Sequence, residues 1–329
     1  MNRNTKSNIL QSEIIIAVVL PCYKVKKHIL NVISKISVDI NLIYVVDDSC
    51  PESTAEFVIK NCFDPRLKVL KHENNLGVGG AVMTGYTAAI NDGADIIIKI
   101  DGDGQMDPSL SMDFVKPIIN GEADYTKGNR FYNLEEIGAM PFARIFGNAI
   151  LSLMAKFSTG YWNIFDPTNG YTAIHASVVR QLPFHKISRT YFFESDILFR
   201  LNTLRAVVID IPMSAKYGDE VSNLRIKKII IEFLWKHMRN FVKRIFYNYY
   251  LRDVSLASIE LPLGFILLIF GASFGLYNWY ISAKLGIPTT GGRVMLAALP
   301  ILMGLQLLLS FTGYDIASIP KRPISKNAR

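Results

Sequence analysis

Cysteine and histidine are scarce in this 329-residue chain, at three and five residues. Cys22, Cys50 and Cys62 form no C-x-x-C pair, so free thiols in a reducing compartment are expected, with packing as their role. His28, His72, His175, His185 and His237 follow no metal-ligand spacing, and neither G-x-S-x-G nor a supported Cys–His arrangement occurs. Hydrolase chemistry therefore has nothing to stand on. The glycine-rich stretch NNLGVGGAVMTG matches neither the dinucleotide fingerprint nor the Gly-Lys-Ser/Thr of a P-loop, which disfavours a dehydrogenase or an ATPase. Gly77, Gly79 and Gly80 read instead as a tight turn opening a helix. The first thirteen residues are polar, and no signal peptide is expected ahead of the first apolar run.

Long uncharged runs, by contrast, are present. LPLGFILLIFGASFGLYNWYI (261–281) and VMLAALPILMGLQLLLSFTGY (294–314) contain no charged residue, and each is close to the roughly 20 residues that cross a bilayer as a helix. The turn-rich SAKLGIPTTGGR between them predicts an antiparallel hairpin over 254–314. Basic residues flank both ends, in RIKKIIIEFLWKHMRNFVKRIFYNYYLRD before it and KRPISKNAR after it, so both flanks are expected in the cytosol. Over 225–253, Ile226, Ile230, Phe233, Met238, Phe241, Ile245 and Tyr249 recur at near-helical intervals. Lys227, Lys228, Lys236, Arg239, Lys243 and Arg244 lie between them, a pattern for helices resting on anionic lipid. The net charge of +8 is accounted for by this stripe and the 315–329 tail, so a membrane rather than nucleic acid is the expected partner.

The segment 14–224 reads as an α/β domain, preceded by the polar segment 1–13. EIIIAVVLPCY, INLIYVVDDSC, LKVLKH and ADIIIKIDGDG are apolar strands separated by helical stretches, which predicts a mostly parallel sheet covered on both faces. Ligands of such sheets bind at the carboxyl ends of the strands. Three of these ends are polar: Pro21-Cys22-Tyr23, Asp47-Asp48-Ser49 and Asp101-Gly102-Asp103. Asp101 and Asp103, separated by one glycine and followed by the neutral oxygen of Gln105, can approach one divalent cation, which takes oxygen ligands and neutralises phosphate charge. A surface turn rich in Asp and Gly is the alternative for such a tripeptide alone.

The order VVLPCYKVKKHI, VVDDSCPESTAEFV, NNLGVGGAVMTGYTAA, IDGDGQMDP, KGNRF and DPTNGYTAIHASVV resembles that of family 2 glycosyltransferases of the GT-A fold. Within them the chain is similar to the polyprenyl-phosphate sugar transferase branch, the dolichol-phosphate mannose synthase type. The likeness covers residues 14–224, and the two apolar runs resemble the tail of bacterial members. It implies that Pro21, Tyr23, Asp47 and Asp48 hold the donor nucleoside, and that Asp101, Asp103 and Gln105 hold Mg²⁺ or Mn²⁺ and the donor diphosphate. Where relatives carry an acid after the tyrosine, this chain has Lys24, Val25 and Lys26. The resemblance also places Arg130, Arg144 and Asn148 at the lipid phosphate, with Asn148 standing where a serine is usual. Lys216 stands near the place of an arginine that is missing from AKYGDEVSNL. Surface solvation is the alternative for both arginines, although guanidinium groups suit a bidentate grip on phosphate.

Two acids remain as candidate catalytic residues. Asp166 of NIFDPTNGYTAI deprotonates or organises the acceptor, orients Arg130 or Arg144, or caps its turn. A phosphate monoester, with a second pKa of about 6, needs no strong base. Glu194 opens an amphipathic helix, where an acid complements the helix dipole. In family 2 enzymes that attack sugar hydroxyls, a general base lies near this position. The expected activity is a metal-dependent, inverting transfer from a nucleotide-diphosphate sugar to a polyprenyl phosphate such as undecaprenyl phosphate, at the cytosolic membrane face. Hairpin-anchored relatives can be homo-oligomers. Transfer to a sugar hydroxyl, with Glu194 essential, is the alternative, and a silent membrane scaffold is a further one. No Q-x-x-R-W segment is present, which argues against a processive synthase.

Overall fold

The computed structural model describes residues 14–132, 142–214 and 226–328, with side chains over 14–132, 145–214 and 231–326. The chain divides into two units. One comprises Met1–Ser152, Ile164–Leu224 and Lys321–Arg329, and the other Leu153–Asn163 and Arg225–Pro320.

The first unit is built on a sheet of seven strands: β1 (Ile16–Cys22), β2 (Leu42–Asp47), β3 (Leu67–Lys71), β4 (Ile96–Lys99), β5 (Tyr125–Asn129), β6 (Thr172–His175) and β7 (Val208–Pro212), in the order β3-β2-β1-β4-β6-β5-β7. Every residue of β1 is buried, as an apolar, β-branched strand covered on both faces must be. β1 pairs in parallel with β2 on one side and β4 on the other, and β6 runs antiparallel to β4 and β5. Pro21 is tolerated in this central strand because the β4 ladder has already ended. Val19 faces β4 and accepts from Ile100 N, so Pro21, two residues on, directs its missing N–H past the last pair, Val19 with Lys99.

This pairing delivers particular residues to one edge. Cys22 lies opposite Asp47, and Lys99, Thr172 and Lys127 stand abreast on β4, β6 and β5. Because β6 is antiparallel, the loop that precedes it meets the carboxyl ends of its neighbours. Helices α1 (Ile29–Ser34), α2 (Thr54–Asn61), α3 (Val78–Asn91) and α4 (Ser111–Ile119) cover the sheet. Gly77, at φ +81°, opens α3 as the glycine run predicted. Gly85 lets α3 lie directly on β1, since a Cβ there would be 2.3 Å from Val19 Cγ1. Phe114 of α4 stacks on Tyr171 at 4.0 Å between ring centres.

After the second apolar run the chain returns to this unit. Asp124, fully buried just before β5, accepts from Val207 N (2.8 Å), Ile324 N (3.0 Å) and Ser325 N (2.8 Å). Three backbone donors on one carboxylate are charge-assisted bonds, stronger than neutral ones.

The longer helices that follow are α5 (Phe142–Thr159), whose last turns belong to the second unit, α6 (Phe193–Leu204) in the first, and α7 (Ile226–Phe246) and the hairpin pair α8 (Leu256–Leu285) and α9 (Gly291–Ala317) in the second. At about 1.5 Å per residue, α8 and α9 both exceed the ~30 Å hydrocarbon thickness of a bilayer. They contain both uncharged runs. Small residues set their approach: a Cβ on Gly271 would lie 2.7 Å from Ala297 O, and one on Gly304 2.8 Å from Gly264 O.

α7 differs from its expected facing. Arg244, Ile245 and Tyr249, expected on the lipid-facing pattern, are buried, together with His237 and Asn240. The exposed stripe is Ile231, Leu234, Trp235, Met238, Val242 and Phe246, with Arg239 and Lys243 exposed beside it. The reason lies at Asp315 of α9. It accepts from Arg244 Nη1 (2.6 Å) and Nη2 (2.9 Å), Tyr249 Oη (2.6 Å) and Trp162 Nε1 (2.9 Å), while Arg244 Nη2 and Nε also donate to Phe157 O. A buried carboxylate requires this many donors, and α7 turns its polar face inward to supply them.

Candidate active site

The carboxyl ends of β1, β2, β4 and β5 and the loop before β6 form the site. At the end of β4, Gly102 packs against Val25 and Cys22, and Gly104 turns the chain at φ +79°, where a side chain would be strained. Asp103 Oδ1 accepts from Gln105 N at 3.0 Å, which closes the turn. Asp101 keeps 29 % of its side chain exposed. Its Oδ2 faces Gly170, where a Cβ would lie 2.3 Å from it. Two carboxylates and an amide oxygen on one turn are hard oxygen donors, and the missing Cβ at Gly170 leaves the carboxylate room. The set fits Mg²⁺ or Mn²⁺.

Beneath Asp101 stands a residue missed in the sequence. Lys99, only 1 % exposed, places Nζ 2.9 Å from Asp101 Oδ1 and 2.9 Å from Glu194 Oε1. Burial alone would pull this ammonium's pKa down, but the two carboxylates outweigh it and hold Lys99 above the usual lysine range. A lysine inside IIIKI was the available signal, since a charge in a doubly covered strand must find a partner. Glu194, at the start of α6, is thus committed to an ion pair as well as to a helix N-terminus.

Lys127, abreast of Lys99 across Thr172, donates to Asn169 O and is fully buried. Burial pushes its pKa down to about 8, against the attraction of Glu194 and Asp166. Arg130, at the end of β5, makes a bidentate pair with Asp166: Nε to Oδ2 at 2.7 Å and Nη2 to Oδ1 at 3.0 Å. Asp166 is fully buried whereas Arg130 keeps 30 % of its side chain exposed. Asp166 also accepts from Thr168 Oγ1 (3.5 Å) and Asn169 Nδ2 (3.4 Å) within its own turn, so its contacts are those of orienting Arg130 and of capping that turn.

On the donor side, Tyr23 is exposed and Pro21 buried. Asp47 and Asp48 accept hydrogen bonds from the loops around them. Asp47 accepts from Cys50 N and Ala55 N, both at 2.7 Å, and so caps α2. Asp48 accepts from Leu76 N (2.8 Å) and Gly77 N (2.7 Å) and pairs with His72 Nδ1 (2.7 Å), tying β2 to the glycine turn. Loops after strands must satisfy their own amides before they can serve a ligand. Lys24, Ser49 and Ser53 hold positive φ in these loops, a strain concentrated beside the site. Cys22 and Cys50 are buried, and burial raises the Cys22 thiol, in keeping with packing. The side chain of Arg144 and all of Lys216 lie outside the described residues. Asn148 is half-buried on α5, and its Nδ2 has no partner among the described residues.

The model of glycosyl transferase family 2 matches residues 17–182, just over half of the chain and all strands from β1 to β6. The chain belongs to this family. It is a glycosyltransferase. It is 28 % identical over 233 residues to a UDP-N-acetylglucosamine–dolichyl-phosphate N-acetylglucosaminyltransferase of Methanococcus voltae, covering 67 % of this chain and 92 % of that one. It is 27 % identical over 174 residues to an undecaprenyl-phosphate mannosyltransferase of Micrococcus luteus, covering 52 % and 70 %. Glucosyl-3-phosphoglycerate synthase of Mycobacterium tuberculosis, solved with Mg²⁺ and UDP, superposes with a TM-score of 0.53 at 18 % identity over 70 % of this chain and 79 % of that one. That likeness shows a shared GT-A fold.

Proposed function

We propose that this glycosyltransferase moves a sugar from a nucleotide-diphosphate sugar to a polyprenyl phosphate, undecaprenyl phosphate being the test case, at the cytosolic face of a membrane. The observation that carries the reading is that both candidate bases are already engaged. Asp166 gives both oxygens to Arg130, and Glu194 is paired with buried Lys99. A hydroxyl acceptor needs a base. A phosphate monoester does not, because at neutral pH it is already ionised. The names of the two relatives above, both acting on a polyprenyl phosphate, point the same way.

In this reading Arg130, held in a fixed plane by Asp166, receives the acceptor phosphate, with Arg144, Asn148 and Lys216 as further ligands. A phosphate oxygen attacks the anomeric carbon from the face opposite the diphosphate. The carbon–oxygen bond to the diphosphate breaks, its electron pair leaves with the nucleotide, and the product is an inverted lipid-phosphate sugar. Tyr23 packs on the base, and Pro21, Asp47 and Asp48 shape its loops. Asp101, Asp103 and Gln105 hold Mg²⁺ or Mn²⁺, which when bound neutralises charge on the leaving diphosphate. Lys99 keeps Asp101 aimed at that turn.

For the membrane, α8 and α9 are apolar and mostly exposed along their length. The exposed stripe of α7, flanked by Arg239 and Lys243, suits the boundary between acyl chains and headgroups. The backbone bonds of Ile324 and Ser325 to Asp124 place the segment after α9 in the catalytic unit.

The test incubates the purified protein with Mn²⁺, undecaprenyl phosphate and a panel of nucleotide sugars, and follows lipid-extractable product by mass spectrometry, with Asp103→Ala as control. A single sugar linked through phosphate, absent from the control, supports the reading. Donor binding with no product on any polyprenyl phosphate moves the assignment to a hydroxyl acceptor, and no donor binding to a scaffold.

A further inference from the structure

Asp210 of β7 has no place in the scheme above, yet it touches both halves of it. Its Oδ2 accepts from Asn129 Nδ2 at 3.0 Å and from Phe165 N at 3.1 Å. These donors stand immediately before Arg130 and Asp166. Because Asn129 gives its amide nitrogen to Asp210, its Oδ1 is turned to accept from Phe131 N at 2.9 Å, which shapes the turn that carries Arg130. Arg130 N in turn donates to Asp166 Oδ2 at 3.3 Å. A ring therefore closes from Asp210 through Asn129, Arg130, Asp166 and Phe165 back to Asp210.

Asp210 is an unusual residue to find there. Its Oδ1 is buried and has no hydrogen-bond partner among the described residues. Burial pushes its pKa up to about 6, with Lys127, opposite it on β5, drawing it down and Asp166 adding to the rise. A carboxylate half-satisfied in the interior destabilises the fold, and the ring supplies a reason for its presence.

We propose that Asp210 is a positioning residue for acceptor binding, holding Arg130 and Asp166 in register through the residues that precede them. The proposal rests on the reading of Arg130 as a ligand of the acceptor phosphate. Asp210 touches neither substrate, so its removal acts through the guanidinium.

Steady-state kinetics of the full chain with undecaprenyl phosphate and the active nucleotide sugar test it. Asp210→Ala raises the acceptor KM about tenfold and leaves kcat and the donor KM within about twofold. Asp210→Asn keeps a carbonyl oxygen for both donors and recovers most of that loss. Arg130→Ala raises the acceptor KM at least as far, and the double variant Arg130→Ala/Asp210→Ala goes no further, because one residue works through the other. If Asp210→Ala does not fold, Asn129→Ala takes its place in the same cycle. Multiplying effects in the double variant, or a rise in donor KM instead of acceptor KM, would overturn the role of Asp210 alone. An acceptor KM unmoved by Arg130→Ala would overturn the acceptor-site reading and this proposal with it.

Discussion

Lys99→Met removes the buried cation while keeping an apolar chain of similar length. Lys99 Nζ lies 2.9 Å from both Asp101 and Glu194, whose side chains are 29 % and 12 % exposed. Breaking a buried ion pair by deleting one partner costs about 3–5 kcal/mol, because the other charge is left in the interior. Asp101 is partly solvated and contributes little of this, so Glu194 sets the magnitude at the lower end, about 3 kcal/mol. For a unit of this size each kcal/mol lowers Tm by about 2–4 °C, giving a fall of roughly 6–12 °C at pH 7.5. Thermal unfolding of the detergent-solubilised protein, followed by intrinsic fluorescence, measures it. The double variant Lys99→Met/Glu194→Gln removes the stranded charge and regains more than half of the loss. The pH dependence has a definite sign. The folded-state pKa of Lys99 is raised, so the pair's contribution is complete below the unfolded lysine pKa and is lost only as pH rises through the folded value. The wild-type pair is therefore silent across neutral pH. A Tm within about 2 °C of wild type, or a double variant no better than the single, would refute the reasoning.

Gly170→Ala places a methyl group 2.3 Å from Asp101 Oδ2 and 2.5 Å from Lys99 Nζ, and is expected to weaken Mn²⁺-dependent nucleotide binding at least tenfold by calorimetry while the protein still folds. Asp210 has a raised pKa, so its contribution to stability is greatest below the unfolded value and falls as pH rises through about 6. Asp210→Asn should flatten that fall and stabilise the protein at pH 7.5 by roughly 1–3 kcal/mol, read as Tm against pH. Arg244→Ala strands buried Asp315 and is expected to destabilise the second unit by about 3–5 kcal/mol, seen as loss of the monodisperse peak in detergent at a lower temperature than for wild type.

Much of this protein is legible along the chain because the relevant physics is local. A strand covered on both faces has to be apolar and β-branched, so EIIIAVVLPCY and ADIIIKIDGDG announce both the sheet and the edge where their polar ends meet. A bilayer-spanning helix needs about 20 uncharged residues, so the hairpin is visible in composition alone. What the chain does not carry is the pairing of charges distant in sequence. Lys99 finds Glu194 95 residues away, Arg130 finds Asp166 at 36, and Asn129 finds Asp210 at 81. These depend on the register of the short strands β5, β6 and β7, and above all on β6 running antiparallel so that its preceding loop meets their ends. The facing of α7 differs from the expected one for the same reason. Its periodicity is helical in the sequence, but burial of the polar face follows from Asp315, 71 residues beyond Arg244. Periodicity follows from neighbouring residues, whereas the desolvation of a charge is settled by whichever partner the fold brings within about 3 Å of it.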